Sequence, residues 1–260
     1  MNRLKNVKCF LLDMDGTFYL GGRIIEGSLE FIEKVRATGR DFLFLTNNSS
    51  HNAPFYVERL KKMGLSVDRN KILTSGEATA AILMRKYAGK RAFVLGNEYL
   101  LEELREAGVT VDQENPEMVV IGYDTTLDYR KMTAVCDFVR AGLPYVATHP
   151  DFNCPTETGF APDIGAIMAF IQASAGRMPE LIVGKPNSGI VEAALYRTGL
   201  KAGEMAMVGD RLYTDIETGL RNGMLSILVM SGETTEEMRL SSPTKPDLVF
   251  GRLSEMIPYL

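Results

Sequence analysis

Two aspartates at the end of a short apolar segment constrain this chain more than any other feature. They belong to the run Asp13-Met14-Asp15-Gly16-Thr17, which follows the apolar residues Cys9–Leu12 and precedes the pair Gly21-Gly22. A short apolar run bounded by turn residues is typical of a buried parallel strand, and α/β sheets bind ligands at the carboxyl ends of their strands. One carboxylate there can attack a substrate while the other transfers a proton. The alternative is a structural turn, since Asp and Gly favour tight turns.

Three further apolar runs end in polar residues of the kind that bind ligands. They are residues 41–45 before Thr46-Asn47-Asn48, residues 181–183 before Gly184-Lys185, and residues 205–208 before Gly209-Asp210, with Asp215 shortly after. Each signal is weak alone, because many α/β proteins place Gly-Lys or Gly-Asp after a strand. In this order, and together with the first motif, the four segments resemble the haloacid dehalogenase superfamily of phosphoryl-transfer enzymes.

The resemblance implies a chemical role for each residue of the first and third motifs. Asp13 would be the nucleophile that forms an aspartyl-phosphate, which splits hydrolysis into two easier displacements. Asp15 would protonate the leaving alcohol and then deprotonate the attacking water, a task that needs a carboxyl group with a raised pKa. Lys185 would be catalytic as a point charge beside the nucleophile and the transferring phosphoryl group.

The remaining matched residues are expected to bind metal and phosphate. Mg²⁺ prefers oxygen ligands, and the resemblance implies that Asp13, the backbone carbonyl of Asp15 and Asp210 supply them. Thr46, with the backbone of Asn47 and Asn48, would donate hydrogen bonds to the phosphate, which Lys185 would also contact. Thr17 is expected to orient the loop, and Asp215 to orient a metal-bound water or another ligand.

Strand and helix signals alternate along most of the chain, which is typical of parallel βαβ units. A second set of alternating elements fills residues 80–179 and carries none of the four motifs. We therefore expect a Rossmann-like, doubly wound parallel-sheet core of residues 1–79 and 180–260, with an inserted α/β cap domain of residues 80–179. The insertion point, together with the segment Thr148-His149-Pro150-Asp151, resembles the NagD-type branch of the superfamily.

Composition limits the partners and the compartment. The net charge of −4 offers no global positive field for nucleic acid or an anionic membrane surface. Three cysteines cannot all pair, and no segment approaches the roughly 20 apolar residues of a membrane span. We expect a cytoplasmic protein that binds a small phosphorylated metabolite, with no nucleic-acid or membrane partner; a homodimer is compatible with this interpretation.

The sequence leaves two alternatives to a phosphatase. A phosphomutase of the same superfamily would also keep Asp15, but it usually carries its cap directly after the first motif. A non-catalytic module that binds phosphometabolites would be expected to have lost a catalytic group, whereas Asp13, Asp15, Lys185 and Asp210 are all present. The substrate stays open among nucleotides, sugar phosphates, phosphoglycolate, pyridoxal phosphate and nitrophenyl phosphate, because no sequence rule converts cap residues into a metabolite.

Overall fold

The computed structural model describes residues 2–156 and 159–260. The strands in these residues are β1 (Cys9–Leu12), β2 (Tyr19–Leu20), β3 (Arg23–Ile24), β4 (Asp41–Thr46), β5 (Ile72–Thr74), β6 (Ala92–Leu95), β7 (Met118–Ile121), β8 (Tyr145–Ala147), β9 (Asn153–Thr156), β10 (Gly159–Pro162), β11 (Leu181–Ile182), β12 (Met205–Gly209), β13 (Leu225–Val229) and β14 (Leu248–Phe250). The α-helices are α1 (Ser28–Ala37), α2 (Ala53–Lys62), α3 (Ser75–Lys86), α4 (Glu98–Glu106), α5 (Tyr129–Arg140), α6 (Ile164–Ala175), α7 (Ser188–Thr198), α8 (Glu217–Arg221) and α9 (Glu236–Ser241).

The chain packs as two units. The first contains residues 1–46, 53–73 and 185–260, and the second contains residues 47–52 and 74–184. The sequence analysis placed these borders at residues 80 and 179, so the packing moves them by a few residues. It also assigns the loop after β4 to the second unit.

A six-stranded sheet organises the first unit, with strand order β14-β13-β12-β1-β4-β5. Strand β1 is central and pairs in parallel with both β12 and β4. From β1 the chain continues to one edge of the sheet through β4, and later to the other edge through β12. The pair β1/β12 is therefore the topological switch point, where doubly wound sheets bind ligands. This arrangement confirms the predicted α/β, Rossmann-like core.

The apolar character of β1 and β12 follows from their central place. Parallel strands covered on both faces read as near-continuous hydrophobic runs, and every residue of β1 and β12 is buried. The side chains of Phe10, Phe31 and Phe44 belong to one hydrophobic core beside this sheet. Phe10 and Phe31 meet edge to face, with ring centroids 5.6 Å apart. This packing fixes the strand after which Asp13 stands.

The second unit has its own four-stranded parallel sheet, with order β11-β8-β7-β6. Its core packs residues of β6, β7 and β8 against α5 and α6. One prediction was wrong here: residues 181–183 were expected in the same core as the other motif strands. Instead, β11 pairs with β8 through Leu181 and Val146, so the strand before Lys185 belongs to the second sheet.

Local structure defines the boundaries of several elements. The Thr74 side chain caps α3, since it accepts a hydrogen bond from the Glu77 N–H at 2.9 Å. Helix α2 begins at Ala53, after the loop that follows Thr46. The segment after Asp151 contains the antiparallel hairpin β9–β10. Within the described residues, no helix is long and apolar enough to cross a membrane.

Candidate active site

The switch point of the first sheet brings two of the predicted aspartates together. Asp13 follows β1 directly, and its N–H donates to the carbonyl of Val208 in β12 over 2.9 Å. Asp210 follows the last residue of β12. Because parallel neighbours end at the same sheet edge, residues almost two hundred positions apart become neighbours. Ligand oxygens of Asp13, Asp210 and Asp215 lie within 4.8 Å of one another.

Lys185 joins this cluster of acids. Its Nζ donates to Oδ1 of Asp13 and, over 2.6 Å, to Oδ1 of Asp215. The Lys185 side chain is 3% exposed and that of Asp215 is fully buried, whereas that of Asp13 is 15% exposed. The buried Asp215 thus holds the lysine in the protein interior, and Asp13 is the member of the cluster that solvent can reach.

Asp210 is held by a loop that the sequence analysis missed. Its Oδ2 accepts the Glu233 N–H at 2.7 Å, and its Oδ1 accepts the Thr17 hydroxyl at 3.3 Å. The Ser231 hydroxyl donates to the carbonyl of Gly16 at 2.8 Å, which ties this loop to the first motif. The only available signal was the segment Ser231-Gly232 two residues after the apolar strand β13, and one Ser-Gly pair is too common to be diagnostic.

Two glycines allow the chain to approach Asp210 closely. A Cβ on Gly16 would lie 2.4 Å from Asp210 Oδ2, and a Cβ on Gly232 would lie 2.0 Å from the same atom. Gly16 also has φ of 85°, a conformation that strongly favours glycine. The Asp-x-Asp-Gly-Thr motif therefore needs glycine at its fourth position for both backbone shape and space.

Arg211 and Tyr213, which follow Asp210 closely in the chain, both contact Glu233. The Nε of Arg211 lies 2.9 Å from Glu233 Oε2, and the Tyr213 hydroxyl donates to Oε1 at 2.8 Å. Since the backbone N–H of Glu233 binds Asp210, this cluster holds the loop that orients the aspartate. The backbone N–H of Arg211 also donates to Oδ2 of Asp215 at 3.0 Å.

The charges of the cluster do not balance. In their ionised forms, three carboxylates and one ammonium group leave two negative charges uncompensated. Burial raises the pKa of Asp13 to about 8; Lys185 opposes this shift, and Asp215 and Asp210 reinforce it. Burial likewise raises the pKa of Asp210 to about 6, with Asp215 acting in the same direction. Both shifts arise first from withdrawal of the carboxyl groups from water, and the neighbouring carboxylates add to them.

This cluster fits a divalent metal ion. Asp13 and Asp210 offer oxygen ligands of the kind that Mg²⁺ prefers. An ion of charge +2 would neutralise the uncompensated negative charge of the cluster. Both carboxylate oxygens of Asp215 accept hydrogen bonds, one from Lys185 and one from Arg211. Asp215 is therefore positioned to hold Lys185 and the turn after Asp210.

The Asp15 carboxyl group is not one of these clustered ligands; its backbone pairs with Tyr19 in the short hairpin β2–β3. Desolvation raises the pKa of Asp15, whereas Arg59 and the backbone of Gly21 lower it. Arg59, on α2, donates to the carbonyl of Gly21 at 2.7 Å and stacks 4.6 Å from the ring centroid of Tyr19. Sequence reasoning did not identify Arg59, because a lone arginine on an amphipathic helix gives no signal.

The predicted phosphate-binding residues divide between the two units. Thr46 is the last residue of β4 in the first unit and is 7% exposed. Asn47 and Asn48 belong to the second unit. There, Asn47 Nδ2 donates to Asp151 Oδ2 at 3.0 Å, and Asn48 Oδ1 accepts from the N–H of Ser50 at 2.8 Å.

Comparison with known protein families finds two matches, one in the N-terminal half of the chain and one in its C-terminal part. A family model described as haloacid dehalogenase-like hydrolase matches residues 10–110, and a related model of HAD-like hydrolases matches residues 182–256. The four motifs fall within these two ranges.

Relatives match over almost the whole chain. An acid sugar phosphatase of Staphylococcus aureus is 36% identical over 258 residues, covering 99% of both chains. The 5'-nucleotidase YutF of Bacillus subtilis is 33% identical over 257 residues, covering 99% of this chain and all of that protein.

Solved structures of phosphatases superpose on this chain over nearly its whole length. A 4-nitrophenylphosphatase from Thermotoga maritima superposes with a TM-score of 0.96, at 46% identity and 98% coverage of both chains. NagD from E. coli superposes with a TM-score of 0.89, at 33% identity, covering 96% of this chain and 98% of that one.

Proposed function

Because the chain belongs to the haloacid dehalogenase-like hydrolases, in their NagD-like branch, we propose that it is a Mg²⁺-dependent phosphatase of small phosphate monoesters that acts through an aspartyl-phosphate on Asp13. The observation that carries the proposal is the position of Lys185, whose Nζ bridges Asp13 and Asp215. A buried cation on the nucleophile itself is what attack on a dianionic ester requires.

Asp13 is suited to be the nucleophile because it is the accessible carboxylate of the cluster. Its side chain is 15% exposed, whereas that of Asp215 is fully buried. In the proposed first step, an Asp13 oxygen forms a bond to phosphorus as the bond to the leaving oxygen breaks. Lys185 offsets the charge on the phosphoryl oxygens, and water then cleaves the aspartyl-phosphate.

The proposed metal ligands are Asp13, Asp210 and the backbone carbonyl of Asp15. A bound Mg²⁺ would neutralise the excess negative charge of the cluster and reduce repulsion between the nucleophile and the substrate phosphate. Thr17 and the Glu233 backbone N–H each hold one oxygen of Asp210. These contacts fix the carboxylate without help from the ion, which lowers the entropic cost of binding it.

Asp15 is proposed as the proton donor to the leaving group and the base for the attacking water. Its raised pKa keeps a larger protonated fraction at neutral pH than an ordinary aspartate has. The opposing effects of Arg59 and Gly21 limit the shift, so the ionised form stays accessible for the second step. Both protonation states are needed within one turnover.

The proposed substrate class is a small phosphate ester of the nucleotide, sugar phosphate, phosphoglycolate or nitrophenyl phosphate type. Relatives with similar sequence identity to this chain carry the names acid sugar phosphatase and 5'-nucleotidase. These names support hydrolysis of a phosphate ester, but they differ in the leaving group. Thr46 and the backbone of Asn47 and Asn48 are proposed phosphate donors, and the second unit is the proposed source of leaving-group specificity. A cytoplasmic location is part of the proposal, because an odd number of cysteines suits a reducing compartment.

Phosphate release from p-nitrophenyl phosphate tests this proposal. We expect full-length, EDTA-treated protein to be inactive, to gain activity with added Mg²⁺, and to lose it in Asp210→Asn. Asp68→Asn, which changes an exposed aspartate of the same unit, is the matched control and should behave as wild type. A module without catalysis would release no phosphate from any ester class, and a phosphomutase would isomerise a sugar phosphate without net release; either result would refute the proposal.

A further inference from the structure

A second buried cluster of metal-ligating groups lies in the second unit. His149, Asp151 and Asp163 each offer a ligand atom, and these atoms lie within 4.8 Å of one another. The His149 side chain is fully buried and that of Asp163 is 5% exposed. The motifs of the proposed reaction do not include any of these residues.

Hydrogen bonds around His149 permit the tautomer that binds a metal through Nε2. The Thr148 hydroxyl lies 3.0 Å from Ser49 Oγ and 3.0 Å from His149 Nδ1, and it can accept from Nδ1 while donating to Ser49. Ser49 Oγ in turn accepts the Tyr123 N–H at 2.9 Å. In that tautomer the histidine is protonated at Nδ1 and has a bare lone pair on Nε2.

That bare nitrogen faces a carboxylate. Nε2 of His149 lies 3.1 Å from Oδ1 of Asp163, which already accepts the N–H of Ile164 at 2.6 Å. In the tautomer protonated at Nδ1, the two lone pairs at this distance repel each other unless a cation lies between them. A separation close to 3 Å is also the spacing of adjacent ligands around one metal ion whose bonds are roughly 2.0–2.2 Å long.

Asp151 supplies an independent sign of a missing ligand. Its Oδ2 accepts from Asn47 Nδ2, but its Oδ1 is closed to solvent and has no hydrogen-bond partner. A buried carboxylate oxygen without a partner is costly, and bound cations are a common remedy. With Asp163, the cluster places two carboxylates beside one imidazole.

We propose that His149 Nε2, an Asp151 oxygen and an Asp163 oxygen bind a first-row divalent transition metal ion, with Zn²⁺ as the reference ion. A mixed set of imidazole nitrogen and carboxylate oxygens favours such ions over Mg²⁺, which prefers oxygen ligands alone. Thr148 would act as the outer hydrogen-bond partner that orients the histidine, as metal-ligating histidines usually require.

The consequence is a metal clamp at the base of the hairpin β9–β10. Asp151 precedes this hairpin and Asp163 follows it, and the two chain ends already meet through the bond from Asp163 N–H to the Phe152 carbonyl at 2.9 Å. The Asp163 side chain also caps the N-terminus of α6. One ion would thus join the end of β8, the hairpin and the start of this helix, independently of phosphoryl chemistry.

The test uses full-length protein carrying Asp210→Asn, which disables the other acidic cluster. After chelator treatment and Zn²⁺ titration by calorimetry, we expect one equivalent to bind. Adding His149→Gln or Asp151→Asn should weaken binding at least about tenfold. Circular dichroism would confirm that each variant is folded. Unchanged Zn²⁺ affinity in both folded variants, or no binding in the parent, would overturn the site.

Nitrogen NMR of the imidazole rings gives a second readout that needs no substitution in the cluster. The chain has two histidines, so His51 serves as an internal reference. We expect His149 to be protonated at Nδ1, and its Nε2 signal to shift on adding Zn²⁺ or Co²⁺. A proton found on Nε2 that persists with excess Zn²⁺ would show a simple histidine–aspartate hydrogen bond and refute the proposal.

Discussion

Nζ of Lys185 lies 2.6 Å from Oδ1 of Asp215, and the second oxygen of that aspartate accepts the Arg211 N–H. A fully buried carboxylate therefore holds the lysine from the side opposite Asp13. The pair is buried, so water screens it little, and breaking one partner leaves an uncompensated charge.

Asp215→Asn should lower kcat by about 10- to 100-fold, because an amide presents a donor where Lys185 or Arg211 needs an acceptor. Steady-state rates on p-nitrophenyl phosphate measure the effect. Asp41→Asn is the matched control: Asp41 also pairs with a lysine, Lys71, at 2.6 Å, but that pair is exposed. Equal losses in the two variants would argue against a positioning role for Asp215.

Asp13→Asn should reduce turnover below about a thousandth of wild type while preserving the fold, because an amide has nearly the same shape but is not a nucleophile. Phosphate release and circular dichroism check the two statements. Acid-quenched wild-type enzyme should hold phosphate on Asp13, and the variant should hold none. Substantial residual hydrolysis would contradict covalent catalysis by this residue.

Asp15→Asn should slow the first half-reaction of esters with poor leaving groups far more than that of p-nitrophenyl phosphate, whose phenolate hardly needs a proton. Rapid-quench measurement of phosphoenzyme formation separates this step from dephosphorylation, which all substrates share. Equal slowing for both classes of ester would count against the acid role.

Arg59→Ala should raise the pKa of Asp15, since the guanidinium opposes the effect of burial. A proton donor is active below its pKa, so the alkaline decline of kcat/KM for a poor leaving group should move to higher pH. Arg36→Ala is the control, because Arg36 also stacks on an aromatic ring, that of Phe42, at 5.3 Å. A profile that stays in place, or moves to lower pH, would contradict the electrostatic role of Arg59.

Gly232→Ala should raise the Mg²⁺ concentration for half-maximal activity by about tenfold or more, because the new Cβ would lie 2.0 Å from Asp210 Oδ2 and displace this proposed ligand. Magnesium titration of activity measures the change. Gly203→Ala, where nothing lies within 4 Å of the added Cβ, should leave the requirement unchanged.

The sequence predicted the strands and the residues at their ends better than it predicted their surroundings. Asp13, Lys185, Asp210 and Asp215 do meet, because strand-end position can be read from apolar runs followed by polar residues. The loop at Ser231 and Glu233 could not be found this way, since it acts through a backbone N–H and a serine hydroxyl. Backbone donors have no sequence signature.

The error over β11 has a different cause. Leu181–Ile182 has the composition of any short buried strand, and which sheet it joins depends on pairing with Val146 and Ala147. The apolar pattern predicts that a segment forms a strand, but long-range pairing decides which strand it lies beside. The hairpin β9–β10 was missed because its residues are mostly exposed and show no apolar alternation.

The pairing of β1 with β12, register Cys9 with Met205, dictates when the acidic cluster can form as the chain folds. Closing so long a loop is entropically expensive and slow, while the second unit is built from consecutive elements that pair early. On the ribosome, Asp13 emerges long before Asp210 is synthesised, and domains generally fold as units in order of emergence. The proposed catalytic carboxylates should therefore assemble last, which would leave the nascent chain without hydrolytic activity until late in its synthesis.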